Sequence, residues 1–156
     1  MLNYTQLTEL IIKPTLIDLV EFSENALTLM VFTCAVESQG GYYLKQIKGP
    51  ALGIYQMEPE TYNDIWQNYI KHNGSLLMRL LSNFEVNFMP NEDRLIYDLR
   101  YATAMTRIHY LRVSCAIPDK KDLHAIYSYY KQHYNSSLGA AQEDKAIQSY
   151  LSFVNS

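Results

Sequence analysis

Hydrophobic residues recur every three or four positions along almost the whole chain, the period of helices with one buried face. After Pro14, which suits a first helical turn, Leu16, Leu19, Val20 and Phe22 predict a first helix. Ser23 is placed to cap a second, with Ala26, Leu27, Met30, Val31, Cys34 and Ala35 buried. Nearly every position from Ala26 to Val36 is apolar or small, which predicts a helix at the centre of the core. Gly40-Gly41 stops it. Residues 41–54 are rich in glycine and poor in helical pattern, so a short hairpin or an ordered loop is expected there. Pro59 opens a helix running to about His72, with Tyr62, Ile65, Trp66 and Tyr69 on one side. Gly74-Ser75 interrupts it before a short helix carrying Leu76, Leu77, Leu80 and Leu81. Asn87 to Pro90 reads as a loop.

The second half continues the pattern. Leu95, Leu99, Ala102, Met105, Thr106, His109 and Tyr110 predict one long helix from Asp93 to Arg112. Pro118-Asp119 opens another through Leu123, Ile126, Tyr127 and Tyr130, ending near Tyr134 to Gly139. Ile147, Tyr150, Leu151 and Val154 mark the last. The sum is about seven helices around one core: an all-α fold in a single domain, 1–156, without linker or repeat.

Composition narrows the partners. The chain is 48% hydrophobic and 19% charged, enough apolar surface for a packed core. A net charge of -3 speaks against nucleic acid as a partner, although a local basic patch stays open. No apolar run is long enough to span a bilayer, and the first residues lack the basic start and apolar stretch of a signal peptide. Synthesis in the cytoplasm is expected. Cys34 and Cys115 form no zinc spacing, a disulfide between them is not favoured, and Cys34 reads as a small core hydrophobe. The 14 tyrosines suit sugar platforms, or helix packing with each hydroxyl reaching water.

The four histidines have no metal spacing, His109 reads as a core histidine, and no metal or cofactor is called for. One acid stands out. Glu37 falls where the apolar helix stops. Partial burial and the negative end of the helix dipole both disfavour its charged form, which suits a general acid. The plain alternative is a solvated glutamate at a helix end. Gly53 permits close backbone approach or positive φ, and Gln56 offers an amide that reads equally as a satisfied turn residue. Glu58 and Glu60 flank Pro59, where acids favour a helix start. Asp64 reads as a solvated helix residue.

Three pieces in order carry a resemblance: Glu37-Ser38; Gly49-Pro50-Ala51-Leu52-Gly53-Ile54-Tyr55-Gln56-Met57-Glu58-Pro59-Glu60-Thr61; and His133-Tyr134-Asn135-Ser136-Ser137-Leu138-Gly139. They resemble the lysozyme-like lytic transglycosylases, related to goose-type lysozyme. That family has a helix ending in Glu-Ser, then Gly-Ala-x-Gly-Leu-x-Gln-x-x-Pro-x-Thr, then Ala-Tyr-Asn-Ala-Gly. The resemblance covers residues from about 24 to 141, and its wording is similar to that of tailed-phage members.

It implies a lysozyme-like fold and cleavage of the β-1,4 bond between N-acetylmuramic acid and N-acetylglucosamine. Glu37 matches the catalytic acid. Gln56 matches the cleft amide, Tyr134 the tyrosine whose hydroxyl approaches that acid, and Asn135 its neighbour. Ser38 and Gly53 match positions that shape the site, and Tyr55 and Glu58 fall within the same substrate-binding motif. The implied partners are peptidoglycan glycan strands and, for a particle-bound protein, phage virion proteins. Made in a bacterial cytoplasm, the protein would act at the cell wall or within a virion.

His133 stands where the family has Ala, Ser136-Ser137 where it has Ala-Gly, Pro50 at a usually small flexible position, and Glu58 at an apolar one. The extra carboxyl leaves a hydrolytic variant open. Separations of about 5 Å suit retention and roughly 6.5–9.5 Å suit inversion. The alternative from another class is a non-catalytic lysozyme-like module serving a phage particle as a structural or assembly protein.

Overall fold

The computed structural model describes residues 1–135 and 142–156, so the Ser136 to Gly139 part of the third motif lies outside the described residues. The fold is all-α. The described elements are α1 (Tyr4–Leu7), a π-helical turn (Thr8–Ile12), α2 (Lys13–Asp18), α3 (Glu24–Ser38), α4 (Pro59–Asn68), a 3-10 turn (Ile70–His72), α5 (Gly74–Asn83), α6 (Arg94–Tyr97), α7 (Leu99–Leu111), α8 (Leu123–His133) and α9 (Glu143–Val154). None of these helices is long and apolar enough to cross a membrane.

α3 is the central helix. Ser23 caps it as expected, its Oγ accepting from the Ala26 amide at 3.0 Å. Its sides meet the π turn, α7, α8 and α9, so burial runs all round the helix and no single apolar stripe is needed. The helix stops where Gln39, Gly40 and Gly41 turn left-handed in succession. Gly41 sits at φ 78°, where a side chain is strained, and a Cβ there would also meet the Leu2 side chain at 2.7 Å.

Four boundaries differ from the periodic reading. The first helical stretch starts at Tyr4, not after Pro14. Pro14 sits within it, directly after the π turn, where the Lys13 amide already reaches back five residues to the Thr8 carbonyl. That stretch ends at Asp18, leaving Val20 left-handed and 70% exposed and Phe22 exposed. The long helix expected from Asp93 to Arg112 is broken at Asp98, whose backbone is extended and whose side chain caps α7 by accepting from the Tyr101 amide. The helix expected to open at Pro118 starts after Asp122, which accepts from the Ala125 amide. On α9 the buried residues are Ala146 and Phe153, and Leu151 points outward.

The tyrosines also depart from expectation. Tyr55, Tyr62, Tyr101, Tyr110 and Tyr130 are fully buried, and their hydroxyls meet protein rather than water. Tyr101 joins Tyr62 at 2.7 Å and accepts from the Trp66 indole at 3.0 Å, while Tyr110 meets Thr33 at 2.8 Å. Cys34 is buried and Cys115 exposed, and both are free thiols.

Residues 41–54 form an ordered loop without a hairpin, fastened by isolated bridges that pair Leu52 with Lys45 and with Met57. Gly53 is left-handed at φ 74°, and a Cβ there would lie 2.1 Å from the Leu95 carbonyl oxygen. This packing lays the loop across the start of α6 and brings Gln56 beside the end of α3.

Candidate functional site

A groove of about 440 Å³ opens between the end of α3, the 41–58 loop, the start of α4 and the end of α8. Glu37, Gln56, Glu58, Tyr134 and Asn135 line it, together with Gln46, Ala51, Met57, Thr61 and His109. Residues from the three separated motifs therefore share one wall.

Glu37 is half-buried in the last turn of α3. Its Oε1 accepts from the Tyr130 hydroxyl at 2.6 Å and from the Asn135 amide nitrogen at 3.1 Å. Asn135 also donates to the Tyr130 oxygen at 2.9 Å, which locks the three groups into a triangle. Among the described residues, Oε2 has no hydrogen-bond partner. Burial raises the carboxyl above the ordinary glutamate range. The two hydrogen bonds and the charge of Lys131 pull the other way without cancelling it. No arginine pairs with Glu37 among the described residues, so the carboxyl is oriented mostly by neutral donors.

The tyrosine assignment is corrected. The hydroxyl on Glu37 belongs to Tyr130, one helical turn before Tyr134. The Tyr134 hydroxyl donates instead to the Tyr55 carbonyl at 2.7 Å, tying the end of α8 to the loop. Its ring stacks on Tyr110 at 5.4 Å and Tyr130 at 6.2 Å, and it walls the groove by packing. Tyr130 reads in the sequence as a core tyrosine, and the four-residue spacing puts both rings on one face of α8. No sequence signal separates them.

Ser38 and Tyr55 belong to the frame, not to the groove lining. Ser38 is fully buried; its Oγ donates to the Ile54 carbonyl at 2.6 Å and accepts from the Gly41 amide at 2.9 Å. It fixes the turn that follows Glu37. Tyr55 is buried, with its hydroxyl 3.1 Å from the Thr103 hydroxyl. Gly53 has the positive φ expected of it but does not line the groove; its carbonyl accepts from the Gln56 side-chain nitrogen at 2.8 Å.

Gln56 is held left-handed at φ 48°, an unfavourable conformation for a residue with a side chain. One N–H of its side-chain amide goes to the Gly53 carbonyl, leaving Oε1 and the second N–H to meet a ligand. Glu58 occupies the cap position of α4, yet its side chain makes no capping bond. Its exposed carboxylate lines the same groove as Glu37.

His109 adds a residue read in the sequence as core. It lines the groove with Nδ1 accepting from Arg112 at 2.8 Å. Burial and the Arg112 charge depress its pKa to about 4, so the imidazole is neutral at pH 7. Arg112 in turn pairs with Asp64. Among the described residues, no cluster of three or more His, Cys, Asp or Glu side chains is gathered for a metal. Compared with protein-family models, curated proteins and solved structures, the chain matches none.

Proposed function

We propose that the groove is the active site of a peptidoglycan-cleaving glycosidase of the lysozyme-like lytic transglycosylase type. The observation that carries this reading is the Glu37 carboxyl. It is half-buried, raised above its ordinary pKa, held on one oxygen by Tyr130 and Asn135, and set in an open groove. A carboxyl so held keeps its proton to higher pH than an ordinary glutamate, which suits the proton donor of glycosidic cleavage.

In the proposed reaction Glu37 donates that proton, from Oε2, to the bridging oxygen between N-acetylmuramic acid and N-acetylglucosamine. The C1–O bond breaks and the N-acetylglucosamine side leaves as an alcohol. The Glu37 carboxylate then takes the proton of the muramyl 6-hydroxyl, whose oxygen closes on C1. The product is a 1,6-anhydro end, no water is consumed, and Glu37 is again protonated. Tyr130 and Asn135 hold the carboxyl through both steps, and Gln56 Oε1 can accept from a sugar acetamido N–H. Glu58 on the same groove favours a second outcome, in which a water activated by that carboxylate gives a reducing end.

The motif wording is similar to phage proteins, and we assign the protein to phage lysis or to a virion part that opens the wall during infection. The net negative charge fits short-range action better than free diffusion to an anionic wall.

The test is loss of turbidity of purified peptidoglycan, native protein against Glu37→Gln. Native protein clears the suspension and the variant does not. A native protein that leaves the wall intact, or a variant that clears it equally, ends the catalytic reading in favour of a structural module. Mass analysis of muramyl ends separates anhydro from reducing products.

A further inference from the structure

Gln46 lines the groove, and its neighbours carry a surface with no role in the chemistry above. Tyr42 is 63% exposed, Leu44 44% and Ile47 69%. Lys45 and Lys48 are exposed among them, and neither pairs with a carboxylate among the described residues. The backbone beneath is pinned. The Tyr42 and Tyr43 amides donate to the Ser38 carbonyl, Gly53 to Leu44 at 2.8 Å, and Gln46 to Ala51 at 2.9 Å. The Tyr42 and Tyr43 rings meet edge to face at 4.8 Å. Five side chains are thus presented on a frame that already has its shape, which lowers the ordering cost of binding.

We propose that this rim, continuous with the groove through Gln46, holds the glycan strand beyond the cleaved bond: Tyr42 packs against a sugar face, and Lys45 and Lys48 pair with carboxylates of the acidic peptides that the strand carries. The inference rests on the groove being a peptidoglycan site. Sugar faces present C–H groups that suit an aromatic ring. Charge makes the lysines necessary: the chain is net negative and Glu58 adds a carboxylate in the groove, so an acidic polymer needs local cations to approach. An anionic bilayer would also accept lysines beside Tyr, Leu and Ile. It would not follow the surface into a groove lined by Gln56, Glu58 and Asn135.

The experiment uses full-length Glu37→Gln, so that the wall is not consumed, in co-sedimentation with purified sacculi and with glycan strands stripped of peptides by an amidase, the freed lactyl carboxyls then blocked as neutral amides. Adding Lys45→Glu and Lys48→Glu should weaken sacculus binding roughly ten-fold at low salt and change stripped-strand binding by less than about two-fold. Tyr42→Ala should weaken both by about three-fold or more. Unaltered sacculus binding by the double reversal, or an equal loss on stripped strands, overturns the proposal. So does binding to phosphatidylglycerol vesicles that the reversal abolishes while sacculus binding stays intact. If the rim variants behave as stated but native protein cleaves nothing, the catalytic reading fails and the rim stands. If the Glu37→Gln protein binds neither sacculi nor strands, the peptidoglycan reading fails and the rim with it.

Discussion

Glu21 and Glu37 flank the same central helix, and the protein treats their carboxyls in opposite ways. Glu21, just before the Ser23 cap, is met by two guanidinium groups, Arg79 at 3.5 Å and Arg107 at 3.4 Å. Glu37, in the last turn, is met by a phenol and an amide, with one lysine acting only through its field. Both side chains are only partly exposed. On one side two guanidinium groups pair with a carboxylate that offsets a buried arginine. Neutral donors on the other orient a carboxyl without obliging it to ionise, and the negative helix end adds to that effect. Burial raises the Glu37 carboxyl and no ion pair among the described residues cancels that rise, whereas Glu21 sits between two guanidinium groups.

The largest effect expected is on the Glu37 side. Glu37→Gln keeps the hydrogen-bonding shape and removes the acid, so clearing should fall by about 10²–10⁴-fold, read as turbidity loss. A variant within ten-fold of native would mean the two glutamates do not differ in role.

The mirror substitution acts on stability. Glu21→Gln leaves Arg107, buried along its side chain, without its carboxylate. Because Glu21 is itself partly exposed, the cost should be about 2 kcal/mol in urea denaturation, less than for a fully buried pair. Clearing per folded molecule should stay within about two-fold of native. A large loss of clearing at unchanged stability would put Glu21 in the chemistry and erase the contrast.

Tyr130→Phe sharpens the Glu37 side. It removes the 2.6 Å donor from Oε1, and clearing should fall roughly ten-fold. The Tyr130 bond lowers the Glu37 pKa, so its loss should move the alkaline limb of the pH–rate profile upward. Tyr134→Phe should leave that limb in place, since its hydroxyl is on Tyr55.

The smallest effect is in the pH dependence of stability. Glu37 has a folded pKa raised above the ordinary 4.5. Its favourable contribution is therefore complete below that ordinary value and is lost as pH rises through the folded pKa. Thermal melting should find Glu37→Gln more stable than native protein at neutral pH and above. The gap should close as pH falls toward 4.5.

Much of this arrangement is readable from residue order, and the failures share a cause. The Ser23 cap, the apolar run of α3, the glycine stop and the Pro59 start are local signals, and the structure has them. Residues 37, 56, 58, 134 and 135 do share a groove. The choice between Tyr130 and Tyr134 depends on how α8 packs against α3 and the loop, which periodicity does not contain. Ser38 and Tyr55 sit in the right motifs, but their polar atoms are consumed by Ile54, Gly41 and Thr103. The run through Pro14 and the break at Asp98 are cases where a π turn and a side-chain cap override apolar spacing.

The central claim is that Glu37 holds a proton where an ordinary glutamate does not. Titration of its side-chain carboxyl carbon by NMR, in native protein and in Tyr130→Phe, measures this directly. The account predicts a midpoint above 4.5 in native protein and a higher one still in the variant. A native midpoint at or below 4.5 would mean that Glu37 holds its proton no better than an ordinary glutamate, and would contradict it.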